Sequence, residues 1–158
     1  METLVTIDFD GVVSPINKDF DFSADENFVI VRLGGFHCAI RKSTLNFLKR
    51  LSEASEVTVI WGSSWNEETE SFFKDSEGLI PQFEWINVQG GKPEAILEHA
   101  LENEFTRVVL IDDDSKVVSG LRRVFKKNSE IDFLAVKPSL HTGLLESHIT
   151  KIQDFLSN

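Results

Sequence analysis

The sequence predicts an α/β fold of three layers: helices, a central and mainly parallel sheet, helices again, with a small β-hairpin inserted. Four short apolar runs, rich in Val, Ile and Leu with little polar alternation, read as strands covered on both faces. Segments of helical period separate them, and that alternation implies parallel strands with helices on either side. One stretch breaks the alternation and reads as the hairpin.

Taken in order, "TLVTI" (3–7) is the first strand, and it stops abruptly at Asp8, Phe9, Asp10 and Gly11. A loop of about fifteen residues containing "SPINKDFDFSADEN" follows. "FVIVRLGGFHCAIR" (28–41) is two β-rich runs around Gly34–Gly35, the hairpin signature. "STLNFLKRLSEA" (43–54) aligns Leu45, Leu48 and Leu51 on one helical face behind a Ser43 cap. "VTVIW" (57–61) is the second central strand, and "FEWINV" (83–88) a weaker candidate. "KPEAILEHALENE" (92–104) has Pro93 in its first turn and apolar Ile96, Leu97, Ala100 and Leu101. "RVVLI" (107–111), a helix at 115–127, "DFLAV" (132–136) and a helix at 143–156 complete the alternation. No repeat, linker or low-complexity tract interrupts it, so a single domain over 1–158 is expected, with a flap and hairpin insert at 12–42.

Composition bounds the function. Hydrophobic residues at 41% and charged residues at 27% are ordinary for a globular chain. A net charge of -10 argues against charge-driven binding to long nucleic acid or to an anionic membrane. The single cysteine, Cys38, allows no internal disulfide and fits a reducing compartment. The amino terminus shows no signal-peptide pattern, and no apolar run approaches the roughly 18 residues of a membrane span. A soluble, cytoplasmic protein is expected.

The chemistry lies at the strand ends. Two carboxylates one residue apart repel each other, so Asp8 and Asp10 ask for a positive neighbour. In open α/β sheets ligands bind beyond the carboxyl ends of the strands. The second strand is followed there by Ser63 and Ser64, the weaker strand by "QGGKPE" with Lys92 at a helix start, and "RVVLI" by Asp112, Asp113 and Asp114. Clustered carboxylates from two strands suit Mg²⁺, a hard cation that takes oxygen ligands. With the metal holding it ionised, Asp8 could attack phosphorus. Asp10 could serve as general acid and base. A serine hydroxyl and the Lys92 ammonium would bind the phosphoryl oxygens.

"DFDGV" resembles the DxDGx first motif of the haloacid dehalogenase-like (HAD) phosphohydrolases, whose fold is Rossmann-like. The remaining motifs follow in that family's order, from Thr3 to about Pro138. The resemblance implies Asp8 as nucleophile, Asp10 as acid/base, Ser63 (or Ser64, one residue on) as phosphate-binding hydroxyl and Lys92 as phosphate-binding cation. It implies Mg²⁺ held by Asp8, Asp112, Asp113 and the backbone carbonyl of Asp10. "VIWGSSWNEE", "LIDDD" and "PSLHTGL" are similar to the small HAD domains associated with RNA-repair proteins, with Ser63 at that group's usual Thr.

HAD enzymes draw specificity from inserts. The first here is about thirty residues, mostly hairpin, and the second (65–91) is too short for a folded cap. An open site beneath a flap is therefore expected, serving a large substrate or roofed by a second copy of the chain. Val12, Val13, Pro15, Arg32, His37, Trp61 and Trp65 are candidate roof residues. Gly11, Ser64, Trp65, Arg32 and His37 are the candidate substrate contacts, and Trp65 could stack a base. The expected partner is a phosphorylated small molecule, a nucleotide or a nucleic-acid end.

Plainer readings stand beside these. Asp114 and either Ser64 or Asn66 read as helix caps, Cys38 as a buried small hydrophobe, and "RRVFKK" (122–127) as a solvated helix face. The four histidines show no metal spacing, and each tryptophan can equally belong to the core. A receiver domain would place its acidic pair and its phosphorylated Asp in another order. A dehalogenase has no need of Asp10, and a phosphomutase would want a larger cap. The rival class is a non-catalytic protein that sequesters a phosphorylated ligand or docks a partner.

Overall fold

A computed structural model describes residues 2–65, 70–88, 90–128 and 130–158. The expected Asn66 cap lies outside the described residues. Five parallel strands form the sheet: β1 (Thr3–Ile7), β4 (Val57–Trp61), β5 (Glu84–Trp85), β6 (Arg107–Ile111) and β7 (Asp132–Val136), in the order β5-β4-β1-β6-β7. The first strand is central because all five of its residues are buried, including Thr3 and Thr6. Register is even across the centre: Ile7 lies beside both Trp61 and Ile111, so three strands end level.

Alternate strand residues supply two cores. Val5, Ile7, Val59, Val109 and Ile111 face α1 (Lys42–Glu53) and α5 (Glu146–Ser157), which bury Phe47, Leu48, Leu51, Ile149 and Ile152. Leu4, Val108 and Leu110 face α3 (Lys92–Glu102) and α4 (Ser115–Lys126), which bury Ile96, Ala100, Leu121 and Phe125. That is the three-layer architecture expected. A short α2 (Glu70–Lys74) precedes the edge strand β5 and buries Phe73.

The hairpin pairs β2 (Phe28–Leu33) with β3 (Phe36–Arg41). Gly34 and Gly35 turn at φ 53° and 88°, the left-handed pair a two-residue turn needs. Val31, Leu33, Cys38 and Ile40 face the core. On the other face Phe28 is covered by Phe20 and Phe22, and the Arg41 guanidinium stacks 4.5 Å over its ring.

Several expectations are corrected. Helix α1 begins at Lys42, with Arg41 at the cap position, and among the described residues the buried Ser43 hydroxyl has no partner. The last helix starts at Glu146, because Ser139–Gly143 first closes a turn with Gly143 at φ 63°. Leu101 is 52% exposed, on the outer side of α3. The fifth strand shrinks to two residues, having only one neighbour to pair with. Val12, Val13 and Trp61 are core residues and cannot form a roof.

Candidate active site

The ladder carries the acidic residues to one edge. Asp8 donates its amide to Ile111 O, Gly62 to Ile7 O and Asp112 to Val136 O, so each loop leaves its strand still in register. These bonds bring the ends of β4, β1, β6 and β7 together. Lys92, first residue of α3, reaches across: its Nζ lies 2.7 Å from Asp112 Oδ2 and 3.4 Å from Asp8 Oδ2. Pro93 suits that helix start, where an amide would go unused. Asp112 is 2% exposed and also accepts the Asp114 amide. Asp114 caps α4 by accepting from Lys116 N at 2.7 Å, as its position suggested.

Asp8, Asp112 and Asp113 each present a carboxylate oxygen within 4.8 Å of the others, whereas the Asp10 side chain stands apart from that group. Three acids so close, all offering hard oxygen donors, fit the Mg²⁺ chemistry that the strand ends implied. Asp113 is held against Gly11, which sits at φ 75° and is buried. A Cβ on Gly11 would lie 2.6 Å from Asp113 Cγ and 2.7 Å from Leu140 Cδ1. The Gly11 amide donates to Ser14 O, so this residue shapes the acidic cluster from below and does not offer its amide to a substrate.

Burial pushes the Asp8 carboxyl up to about 6, with Asp112 adding repulsion and Lys92 and Ser63 only partly compensating. Burial and Asp112 also raise Asp113. For Lys92 burial works against the charge, yet Asp8 and Asp112 outweigh it and hold the ammonium above its ordinary value. Ser63 is 1% exposed, accepts the Trp65 amide at 3.3 Å and acts to lower the Asp8 carboxyl, while Ser64 is exposed, which separates the places of the two serines that sequence left open.

Asp10 is held from the side. The Trp65 indole donates to Asp10 Oδ2 at 2.8 Å, and the Trp65 ring packs 5.0 Å from Phe9 and 6.3 Å from Phe36 of the hairpin. Phe9, between the two acids, is fully buried among Trp61, Trp65 and Phe73. Sequence reasoning missed this aromatic anchor, although an aromatic between two motif carboxylates was its signal. It also missed the work of "PSLHTGL": Leu140 O accepts from Ile16 N, and Val12 O accepts from Leu144 N. His141 Nδ1 lies 2.9 Å from Ile16 O, so the segment clamps the loop that carries the first motif.

The remaining candidates divide. His37, Pro15, Ser64, Trp65 and Asp10 line one cleft of about 650 Å³ under the hairpin. Arg32 pairs with His37 across the hairpin and lies outside that cleft. Cys38 is buried on the cleft wall, its thiol pushed up to about 11 by burial and by Asp10. His99 stacks on Phe105 and His148 accepts the Leu145 amide at the head of α5, both structural duties. "RRVFKK" is an exposed helix face apart from Val124 and Phe125. A larger hollow of about 1180 Å³ opens at the amino ends of the strands among Thr3, Val57, Arg107 and Asp132, and contains none of these acids.

A parallel sheet bearing an aspartate pair, a serine, a lysine and an acidic pair on successive strand ends defines a HAD domain. The chain belongs to the family described as the HAD domain in Swiss Army Knife RNA repair proteins, whose profile matches residues 4–149. No curated protein matches it in sequence. Among solved structures it is similar to the HAD domain of effector protein Lem4 from Legionella pneumophila, at 13% identity and TM-score 0.67, over 99% of this chain and 95% of that one. It is also similar to Legionella pneumophila effector Ceg4, at 14% identity and TM-score 0.62, over 98% and 94%. At those identities the likeness is one of fold.

Proposed function

We propose that this chain is a Mg²⁺-dependent phosphohydrolase that cleaves a phosphomonoester through an aspartyl-phosphate on Asp8. The observation that carries the reading is the clamp of Lys92 between Asp8 and Asp112, with Asp113 beside them and Asp10 held separately by Trp65. Held by Asp8, Asp112, Asp113 and the Asp10 carbonyl, Mg²⁺ would keep Asp8 ionised and offset phosphoryl charge.

Asp8 forms a bond to phosphorus as the ester P–O bond breaks, and Asp10 gives its proton to the departing oxygen. Water then attacks phosphorus, Asp10 takes the proton, and the Asp8–phosphorus bond breaks to release phosphate. Lys92 and the Ser63 hydroxyl hold the phosphoryl oxygens as charge develops. Trp65 positions Asp10, because its indole fixes Oδ2 and so restricts how the carboxyl turns. The substrate is a phosphorylated small molecule or a nucleic-acid end, with a second copy of the chain as the natural roof of so open a site.

Phosphate release from an aryl phosphate, with Mg²⁺ and with chelator, tests the reading. Metal-dependent turnover lost in Asp8→Asn and Asp10→Asn is expected. Turnover surviving in Asp8→Asn would remove the covalent step.

A further inference from the structure

A cleft beside Asp10 adjoins the acidic site without containing the phosphoryl clamp. It opens between the hairpin and the loop after β1, with Pro15, Ile16, Phe22, Phe36, Ala39 and Trp65 among its walls. Asp10 and Ser64 also line it, whereas Asp8, Lys92, Asp112 and Asp113 do not. It therefore lies on the acid/base side of the site, away from the phosphoryl clamp.

In the proposed reaction Asp10 protonates the departing oxygen, so whatever that oxygen carries must lie on the Asp10 side. We propose that this cleft is the leaving-group subsite and that it selects a flat, apolar leaving group over a polyhydroxylated one. The proposal rests on the phosphohydrolase reading. Phe36 is 62% exposed at the cleft mouth, and its ring lies 6.3 Å from Trp65 at 58°, two aromatic faces that a planar group would cover. Two polar atoms there are already paired: Asn17 Oδ1 with the Asp19 amide and Asp10 Oδ2 with the Trp65 indole. A sugar-like group would give up its water against these apolar walls, with Lys18, His37 and Ser64 left to meet its hydroxyls.

The test compares kcat/KM for 2-naphthylmethyl phosphate and glycerol 3-phosphate, both esters of primary alcohols, with acetyl phosphate as the small-leaving-group control. A preference of about thirtyfold or more for the naphthylmethyl ester is expected. Phe36→Ala and Ile16→Ala, at side chains 62% and 43% exposed, should each reduce that preference while the melting temperature holds. Equal kcat/KM for the two esters alongside acetyl phosphate turnover would overturn the subsite and leave the hydrolase reading standing. A preference unaltered in both variants would equally overturn it. No turnover of any of the three compounds would overturn both readings.

Discussion

Asp8 is largely buried beside Asp112 and the Lys92 ammonium, and the geometry shows what that costs. Its carboxyl rises from 3.8 to about 6, so the folded chain binds that proton more tightly than the unfolded chain. Its contribution to stability without metal therefore falls as pH rises from about 4 to 6 and stays low above that. The difference sets a ceiling of about 3 kcal/mol. Asp8→Asn should accordingly melt higher than wild type in chelator at pH 7.5, the gap closing toward pH 4.5. Equal melting curves at both pH values would contradict this. Lys92→Met is the opposite case, for it leaves Asp8 and Asp112 facing each other without their shared cation. A loss of about 3 kcal/mol in chelator is expected from urea unfolding at pH 7.5, recovered in part by Mg²⁺. Gly11→Ala combines strain at φ 75° with a 2.6 Å approach to Asp113 Cγ, and should lower both stability and Mg²⁺ affinity.

Elements meet at Trp65. The residue follows β4, yet its indole holds Asp10 from the loop after β1 and its ring touches Phe36 of the hairpin. Trp65→Phe keeps the ring and deletes the donor, so it isolates the positioning of Asp10 from packing. We expect kcat on alkyl phosphates to fall about tenfold, with a smaller loss on nitrophenyl phosphate, whose leaving oxygen needs little protonation. Equal losses on both would mean the indole acts only through packing. The hairpin itself is marginal alone and gains its order from Val31, Leu33, Cys38 and Ile40 in the core.

At the scale of the molecule, the proposed reading links metal, proton and fold. On the proposed reading Mg²⁺ binds Asp8 deprotonated, so its apparent affinity should weaken as pH falls below about 6. The same linkage should raise the melting temperature with Mg²⁺ concentration, by amounts that shrink at lower pH. Thermal scans across a Mg²⁺ series at pH 5 and pH 7.5 check both, and parallel curves would contradict them. Among the described residues no helix is long and apolar enough to cross a membrane.

The sequence by itself determined the alternation of strands and helices, the hairpin turn and the order of the acidic, hydroxyl and cationic residues. Those follow from local periodicity and from what sits at a strand's end, and the bounds of four strands were legible to the residue, although the one at 132–136 proved to be an edge strand. Only the tertiary structure decided which of Ser63 and Ser64 faces Asp8, that Val12, Val13 and Trp61 are core, and that Gly11 is spaced against Asp113. It alone paired Trp65 with Asp10, residues 55 positions apart. Burial and long-range contact depend on how separate segments pack, and a linear pattern does not contain that distance.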